Sequence, residues 1–416
     1  MLLINKIFSK TVIKNFSFLA ILQIVQLIVG FVIYPYLIKT LGTYHYGIIA
    51  YSQTIVGFFI IILNYGFNIS GTKQVSQNVN DDNKLSKVIS SIYFAKVYLI
   101  IVLIIIFSII IFSIPFISEY KVTYILTFIS MIGWLLYPEW YFQGIQKMGS
   151  ITIVIVLSKL ISVLFIFLLV KDKKQLNYVP IINSISMVIA GVFSVFLVKK
   201  SLTGRNIGLC FSHLDVISQL KEGLHIFISN IAANTKDYFN TIIVGYYLNY
   251  NNVAIYDLAN KIVRVLTIPN STIYRVVFPS IVISKSEKEI QKIEYVTIIY
   301  SILILALIYL IPDSTFFLLI DNDIKLFKSA LYILAISIPL LAYCGSIGML
   351  RLIAQKEKES LFSKSIIYSI IIYFIVIMAL IYLKQINIIT ISITLIFVVF
   401  MELFYYIFYN YVKKTD

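Results

Sequence analysis

Residues 149–170 read GSITIVIVLSKLISVLFIFLLV, an apolar run with a single charged residue, Lys159. Its nearest charged neighbours, Lys147 and Lys171, are each twelve residues away, which is roughly 18 Å along an α-helix. A run of this length can cross a bilayer. A lysine at that depth cannot reach the surface with its stem, and it costs about 2.5–3.5 kcal/mol on insertion scales. We therefore predict a membrane-spanning helix whose lysine faces a protein interior or a water-filled cavity.

The whole chain has the composition of a protein that crosses the membrane many times. Its 416 residues are 60% hydrophobic and 13% charged, whereas a soluble domain is about half apolar and a quarter charged. The net charge of +15 comes from short basic clusters between apolar runs, which is typical of membrane topology. The two cysteines and three scattered histidines form no metal-ligand pattern. We expect no metal, no cofactor and no nucleic-acid partner.

Twelve membrane spans can be placed between the charges, each of about 20 residues. They are predicted at 16–38, 46–69, 97–118, 122–142, 149–170, 177–198, 223–248, 253–283, 295–319, 329–350, 361–383 and 386–409. Spans seven and eight are the weakest because charges interrupt them. The two longest connections, 73–96 and 199–222, are long enough for amphipathic surface helices. The predicted fold class is an all-α membrane protein.

Basic residues indicate the orientation. With both termini cytoplasmic, about 21 basic residues lie on the inner side, Lys96 and Arg351 among them, and about 8 on the outer side, as the positive-inside rule requires. The cluster at Lys171–Lys174 is the exception. No outer connection is long enough to form a domain, which argues against an enzyme whose chemistry lies in a large extracytoplasmic loop.

A weak internal repeat divides the chain into two halves. Residues 41–53 read LGTYHYGIIAYSQ, and residues 248–260 read LNYNNVAIYDLAN. Each stretch is a polar turn followed by a helix start that is rich in small residues. We predict two pseudo-symmetric six-helix lobes, 1–198 and 223–416, joined by a cytoplasmic loop at 199–222, because transporters are often built from such repeats. The alternative is that any loop-to-helix junction has this texture.

Further charges interrupt spans seven and eight. Lys236 and Asp237 are adjacent, so they point in different directions, whereas Asp257, Lys261 and Arg264 share one helix face. Together with Lys159 these residues are four cations and two anions, with no partner visible for Lys159 or Arg264.

These charges favour a hydrated cationic cavity that binds a phosphate or diphosphate. The predicted substrate-binding residues are Lys159, Lys236, Lys261 and Arg264. The alternative is that the charges are structural ion pairs, which the spacing of Asp257 and Lys261 favours most. Asp237 and Asp257 are the only carboxylates that we consider for ion coupling.

Four short stretches resemble the Wzx-type oligosaccharide flippases, within the superfamily that also holds multidrug antiporters and lipid II flippases. They are YPYLIKTLG at 34–42 followed by Tyr46-Gly47, NYGFN at 64–68, PEWYFQGIQKM at 138–148, and AIYDLANK at 254–261 followed by YRVVFP at 274–279. The residues that carry the resemblance as structural motif positions are Pro35, Gly42, Gly47, Glu139, Trp140, Gln143 and Gly144. Asp257 and the pair Lys236-Asp237 depart from the family pattern.

The resemblance implies a flippase of the bacterial inner membrane rather than an enzyme. Two lobes would enclose a central cavity that opens to each side in turn. The substrate would be an undecaprenyl-diphosphate-linked repeat unit, an O-antigen or capsule precursor. Its diphosphate would lie on the four cations, its sugars in the cavity and its polyprenyl tail among membrane lipids. A polysaccharide polymerase and a chain-length regulator are the partners that the resemblance suggests.

Three other functions stay open on the sequence. A cation-coupled multidrug antiporter on the same fold would need Asp237 or Asp257 to bind its cation. A lipid II flippase would be expected to have extra spans. A polysaccharide polymerase or glycosyltransferase would need a solvent-side carboxylate group, which these short outer loops do not offer.

Overall fold

The computed structural model describes residues 10–205, 208, 210–317, 319–320, 323–355 and 359–412. Within these ranges the secondary structure is helical, with no strand. The α-helices are α1 (Lys10–Leu41), α2 (Thr43–Asn64), α3 (Phe67–Asn78), α4 (Asp82–Ser113), α5 (Pro115–Ser118), α6 (Lys121–Phe128), α7 (Ser130–Leu136), α8 (Glu139–Gly144), α9 (Met148–Leu169), α10 (Tyr178–Ser201), α11 (His213–Tyr247), α12 (Tyr250–Ser284), α13 (Glu287–Tyr309), α14 (Asp313–Phe316), α15 (Ile324–Ala335), α16 (Ser337–Gly345), α17 (Glu359–Tyr382) and α18 (Ile388–Val412). A 3₁₀ turn at Lys173–Gln175 and a π-helix at Ser346–Gln355 complete the set.

Nine helical stretches in the described ranges are long and apolar enough to cross a membrane. The protein is therefore an all-α protein that crosses the membrane many times, as the sequence predicts. Predicted spans seven and eight correspond to α11 and α12, which are not among the nine because their charges lower the hydropathy. The count of twelve spans stays a prediction.

Predicted span five is reproduced within about one residue, because α9 begins at Met148 and ends at Leu169. Predicted span three, 97–118, lies in the second half of a longer helix and runs past its end at Ser113. Its helix, α4, begins at Asp82, where the Asp81 carboxylate accepts a hydrogen bond from the Lys84 backbone N–H at 3.0 Å. That bond to the charged form lowers the pKa of Asp81. The predicted connection 73–96 is thus partly helical, as its length allows, and continues directly into the apolar part of α4.

The chain divides into two compact units, 1–231 and 232–416, and the division falls within α11. In the first unit, α7 and α10 are in close contact through glycines. A Cβ atom on Gly133 would clash with the Met187 carbonyl oxygen, and one on Gly191 would be 2.6 Å from the Gly133 oxygen. This close approach positions the α7 and α10 side chains that line the candidate site.

Predicted span four is not one helix but three, α6, α7 and α8. The break before α8 follows from Pro138, since a residue that precedes proline is pushed out of the helical region. Tyr137 accordingly has φ −77° and ψ 111°. A second break separates α2 from α3, where Tyr65 and Gly66 have φ 45° and 78°.

In the second unit, the long helix α12 packs against α15, α16 and the π-helix. It begins at Tyr250, the position that the proposed repeat aligns with Thr43, where α2 begins. The two starts are capped differently. Gly42 has φ 81°, whereas the Asn249 side chain accepts a hydrogen bond from the Asn252 backbone N–H. The two-lobe division stays a prediction.

Candidate functional site: a cationic cavity

A cavity of about 500 Å³ lies within the first unit. Helices α1, α2, α7, α9 and α10 form most of its wall. The polar lining residues are Gln53, Thr127, Ser130, Lys159, Ser162, Asn183 and Ser184. The lining is mixed polar and apolar, the cavity is large enough to hold several waters, and Lys159 is part of its wall.

Lys159 is the only charged residue in the described wall of this cavity. The side chain is half-buried, and no described side chain forms a hydrogen bond or ion pair with its ammonium group. A buried charge without a protein partner is costly unless water or a ligand compensates it. The cavity is therefore suited to an anion.

The pattern of α9 explains why Lys159 points inward. Ile155, Lys159, Ser162 and Ile166 all line the cavity, and their spacing places them on one helix face. Leu157 and Leu160, beside the lysine in sequence, are 53% and 48% exposed and so lie on the opposite, apolar surface.

Aromatic rings form another part of the cavity wall. Tyr34, Tyr46 and Trp134 line it, and the ring centroids of Tyr34 and Tyr46 are 6.2 Å apart. Such rings offer flat apolar faces beside a polar handle. Together with Gln53 and Asn183 they provide the mixed surface that a sugar, with apolar C–H faces and hydroxyl edges, requires.

The predicted cations of the second unit are all paired. The Lys236 ammonium lies 3.2 Å from the Glu402 carboxylate and 3.1 Å from the Ser369 hydroxyl. Arg264 lies 2.6 Å from Asp237, and the carboxylate of Asp257 lies 2.6 Å from the Lys261 ammonium.

These contacts bear on three expectations. The sequence indicated more cations than anions in this unit. That is wrong, because Glu402 supplies a further carboxylate beside Lys236. Arg264 has a partner in Asp237, which the sequence did not reveal because the two residues lie on different helices. Asp237 and Asp257 are also not the only carboxylates that pair with a cation in the described part of this unit. Glu294 is 7% exposed and lies 2.6 Å from Arg351.

Lys96 is a buried cation that the sequence reading missed, having placed it in a cytoplasmic connection. Its side chain is 1% exposed. The ammonium donates hydrogen bonds of 3.1 Å to the Asn64 side-chain oxygen and to the Trp134 carbonyl oxygen. Asn64 ends α2 and Trp134 lies in α7, so Lys96 connects two interrupted helices and holds the backbone of a cavity residue.

The stretch that includes Glu139 and Trp140 forms a junction between α8 and α3. The Thr72 hydroxyl donates to the Trp140 carbonyl oxygen at 3.2 Å, and the Asn68 amide donates to Glu139 at 3.3 Å. Trp140 is 1% exposed. These contacts support a structural role for this motif.

The other motif positions also have local structural roles. Gln143 is exposed and accepts a 3.4 Å hydrogen bond from Thr72. Pro35 lies inside α1, and Gly47 is buried in α2. Gly42, between these helices, has φ 81°, a conformation that glycine adopts without strain.

Residues 12–285 match the family described as Polysaccharide biosynthesis protein. The chain belongs to that family. This membership confirms the resemblance that the motifs of the first, second, fourth and eighth predicted spans indicated.

Two proteins of similar sequence are each named "Putative O-antigen transporter". The protein of Shigella dysenteriae is 28% identical over 60% of this chain and 62% of its own length. The protein of Escherichia coli (strain K12) is 26% identical over 64% of each chain. The matched region thus spans less than two thirds of these relatives.

Two solved structures are similar in fold. The lipid II flippase MurJ in an inward closed conformation has a TM-score of 0.76 and 14% identity, over 96% of this chain and 87% of its own. An inward-facing multidrug resistance MATE family transporter of the MOP superfamily has a TM-score of 0.67 and 12% identity, over 92% and 96%. This member of the polysaccharide biosynthesis family therefore has the fold of these transporters.

Gly144, a motif position of the family, tests the structural role of the α3–α8 junction. A Cβ atom there would be 2.6 Å from two carbons of the Val75 side chain and 3.0 Å from the Thr72 carbonyl oxygen. We expect Gly144→Ala to lower the free energy of unfolding by about 1–3 kcal/mol through overpacking, and Val75→Ala in the same chain to recover part of the loss. Thermal unfolding in detergent measures both effects.

Gly208→Ala is the matched control, since nothing lies within 4 Å of a Cβ atom there. Equal unfolding midpoints for Gly144→Ala and Gly208→Ala would contradict the structural role of the α3–α8 junction.

Proposed function

We propose that this protein flips lipid-linked oligosaccharide repeat units across the bacterial inner membrane, with the diphosphate of the lipid carrier bound at Lys159. The observation that carries the proposal is that the half-buried Lys159 lines a cavity of about 500 Å³ whose described wall contains no carboxylate. Family membership and the names of the relatives support the same class of substrate.

A diphosphate suits this lysine for electrostatic reasons. An anion that enters the cavity offsets the cost of holding an unpaired ammonium away from bulk water. Hydrogen bonds between ionised partners are about twice as strong as those between neutral groups. A neutral or cationic cargo would leave the lysine uncompensated.

The oligosaccharide would occupy the rest of the cavity. Gln53, Ser130 and Asn183 supply donors and acceptors for hydroxyl groups, and Tyr34 and Trp134 supply faces for sugar rings. The undecaprenyl tail stays in the lipid, and the cavity opens to one membrane face at a time. In this proposal both termini are cytoplasmic, and a polymerase and a chain-length regulator use the product outside.

The three cations of the second unit differ in how exposed their side chains are. Arg264 has the most exposed side chain of the three, 43% despite its pair with Asp237, and its contact with substrate stays a prediction. It also lies 6.0 Å from the Tyr238 ring centroid. Lys236 and Lys261 have side-chain exposures of 13% and 25% beside their carboxylates, and their contact with substrate stays a prediction.

Complementation tests the proposed function. A bacterium that makes the cognate repeat unit but lacks its own exporter should accumulate the lipid-linked unit and display no surface polymer. Expression of this chain should restore the polymer and remove the accumulated intermediate. Absence of both effects, with the protein present in the membrane at normal abundance, would count against the proposal.

A cation-coupled drug antiporter is the competing function on this fold. It would need a carboxylate available to the coupling ion, whereas Asp237 and Asp257 both have cationic partners at 2.6 Å. We therefore expect inside-out vesicles that contain this protein to show no uptake of a cationic dye above that of empty vesicles when a proton or sodium gradient is applied. Uptake that Asp237→Asn abolishes would favour the antiporter instead.

A further inference from the structure

One face of α2 leads from the Lys159 cavity to the junction between α2 and α3. The α2 residues that line the cavity are Tyr46, Ile49, Gln53, Val56 and Ile60. Asn64, the last residue of α2, lies one turn beyond Ile60 on the same side of the helix, about 6 Å along its axis. Lys96 joins Asn64 to the cavity wall, because its ammonium bonds both to the Asn64 side-chain oxygen and to the carbonyl oxygen of Trp134. The α2–α3 junction therefore lies beside one end of the cavity.

The backbone of this junction lies against α11. Tyr65 has φ 45°, which is uncommon for a residue other than glycine, and its ring stacks on that of Phe227 with centroids 4.1 Å apart. Gly66 has φ 78°. A Cβ atom on Gly66 would be 2.6 Å from the Ile226 side chain and 3.3 Å from the Phe227 backbone nitrogen. Only a glycine allows the two helices to approach so closely here.

Helix α11 meets the junction with a single face. The spacing of its contact residues is that of one side of a helix: Gln219, Glu222, Gly223, Ile226 and Phe227. The Glu222 carboxylate accepts a 2.7 Å hydrogen bond from the Gln74 side chain, and the Gln219 oxygen accepts one of 3.4 Å from Ser91. A Cβ atom on Gly223 would be 3.2 Å from the Tyr65 ring. All of these residues belong to the first unit, which ends at Ile231.

This contact is packed less completely than the core of the same unit. Tyr65 and Phe227 are half-buried and Glu222 is exposed, whereas Trp140 is 1% exposed. Contacts of low burial open at a lower free energy than a packed core does.

Two buried amide atoms also weaken the contact. The Gln74 side-chain oxygen and the Gln219 side-chain nitrogen are buried, and neither has a hydrogen-bond partner among the described residues. A buried polar atom without a partner costs free energy that water would restore. Separation of α11 from α3 and α4 would expose both atoms to water, so their state favours opening.

The contact lies on the side that the basic residues predict to be cytoplasmic. The predicted cytoplasmic connections 73–96 and 199–222 contain Gln74, Ser91, Gln219 and Glu222. A lipid-linked repeat unit that is made in the cytoplasm would reach the Lys159 cavity from this side.

We propose that residues 219–227 of α11, docked on the α2–α3 junction, are the cytoplasmic gate of the Lys159 cavity. The gate is closed in this structure, and it opens when α11 leaves Tyr65 and Gly66. Opening admits the diphosphate and the sugars, and closure precedes their release on the other side. This inference rests on the proposed function, which supplies a substrate that enters from the cytoplasm.

A reversible cross-link across the contact tests the gate. Gln74→Cys/Glu222→Cys places two thiols where the unchanged side chains meet at 2.7 Å. A short bifunctional methanethiosulfonate joins the thiols, and dithiothreitol releases them. The exposed Cys210 is first replaced by serine, whereas Cys344 is buried. In proteoliposomes we expect the cross-linked protein to lose exchange of a lipid-linked oligosaccharide between the leaflets, and to regain it after reduction.

The matched control is Lys73→Cys/Gln77→Cys in the same background. These two exposed residues of α3 are four positions apart, so the reagent joins them within one helix and exchange should continue. Equal exchange by the cross-linked and the reduced forms of Gln74→Cys/Glu222→Cys would overturn the gate. Failure of the reagent to join these two positions would also overturn it, because the helices would not be in contact.

A substitution that holds the gate open gives a second test, which needs no substrate. Gly223→Leu adds a side chain where a Cβ atom alone would be 3.3 Å from the Tyr65 carbonyl oxygen, so α11 cannot dock. The reporter is Ser130→Cys, whose thiol lies in the cavity wall. In inside-out vesicles, a maleimide that does not cross membranes should label this thiol several-fold faster with Gly223→Leu than with Gly208→Leu, where nothing lies within 4 Å of the Cβ atom. Equal labelling rates would contradict the gate.

Failure of the gate is distinguishable from failure of the proposed function. If only the gate is wrong, the cross-linked protein exchanges the lipid-linked oligosaccharide as fast as the reduced protein. If the proposed function is wrong, the unchanged protein neither exchanges this lipid nor restores surface polymer.

Discussion

Replacement of Lys159 by methionine is expected to reduce polysaccharide export about 10- to 100-fold, which corresponds to the loss of one charge-assisted hydrogen bond to a phosphate. Methionine keeps most of the side-chain length and removes the charge. Lys159→Arg should keep a substantial part of the activity, because the charge remains while the shape of its donors changes. Surface polymer in the complemented strain, normalised to the amount of protein in the membrane, measures the effect.

The control for this experiment is Lys147→Met, which removes an exposed lysine just before α9 and should leave export unchanged. Lys159→Met should not destabilise the fold, since the lysine has no ion pair among the described residues. Normal export by a stable Lys159→Met protein would contradict the assignment of Lys159 as the phosphate contact.

Replacement of Glu402 by leucine should lower the free energy of unfolding by about 3–5 kcal/mol, because it leaves a buried ammonium without its counter-charge. Lys236 would retain only the Ser369 hydroxyl, and its side chain is 13% exposed. The double variant Lys236→Met/Glu402→Leu should recover most of the loss, since it removes both charges together. Thermal unfolding in nanodiscs, with the two single variants and the double variant, measures the coupling between them.

Export by the double variant then decides the role of Lys236. If the lysine only stabilises the second unit, the double variant is stable and exports normally. If it also contacts the substrate, the double variant is stable but exports poorly. A Glu402→Leu protein that is as stable as the unchanged one would show that the pair contributes little.

Long apolar runs were the most predictable part of the fold. Residues 149–170 are bounded by lysines and contain only one charge, so the limits of α9 could be predicted closely. Predicted span three begins only after Lys96 because a charge was taken as a membrane boundary. Lys96 instead lies inside α4, where the Trp134 carbonyl oxygen satisfies it. A backbone acceptor on a distant helix leaves no mark in the sequence.

The candidate site was partly predictable for a related reason. Lys159 stands out because nothing near it in sequence explains a charge at that depth, and the structure places it in a cavity. The pairing of Arg264 with Asp237 and of Lys236 with Glu402 depends on contacts between helices. No periodic pattern marks Gln53 or Asn183 as lining residues.

Transbilayer movement in proteoliposomes tests the central claim most directly. Vesicles that contain the purified protein would receive a lipid-linked oligosaccharide with a radiolabelled sugar, and periodate, which does not cross the bilayer, would report the fraction that faces outward. We expect the unchanged protein to exchange the labelled lipid between the two leaflets within minutes, and Lys147→Met to do the same. Lys159→Met should approach the exchange rate of protein-free vesicles. Equal exchange by the Lys147 and Lys159 variants, or no exchange above that of protein-free vesicles with the unchanged protein, would contradict the account.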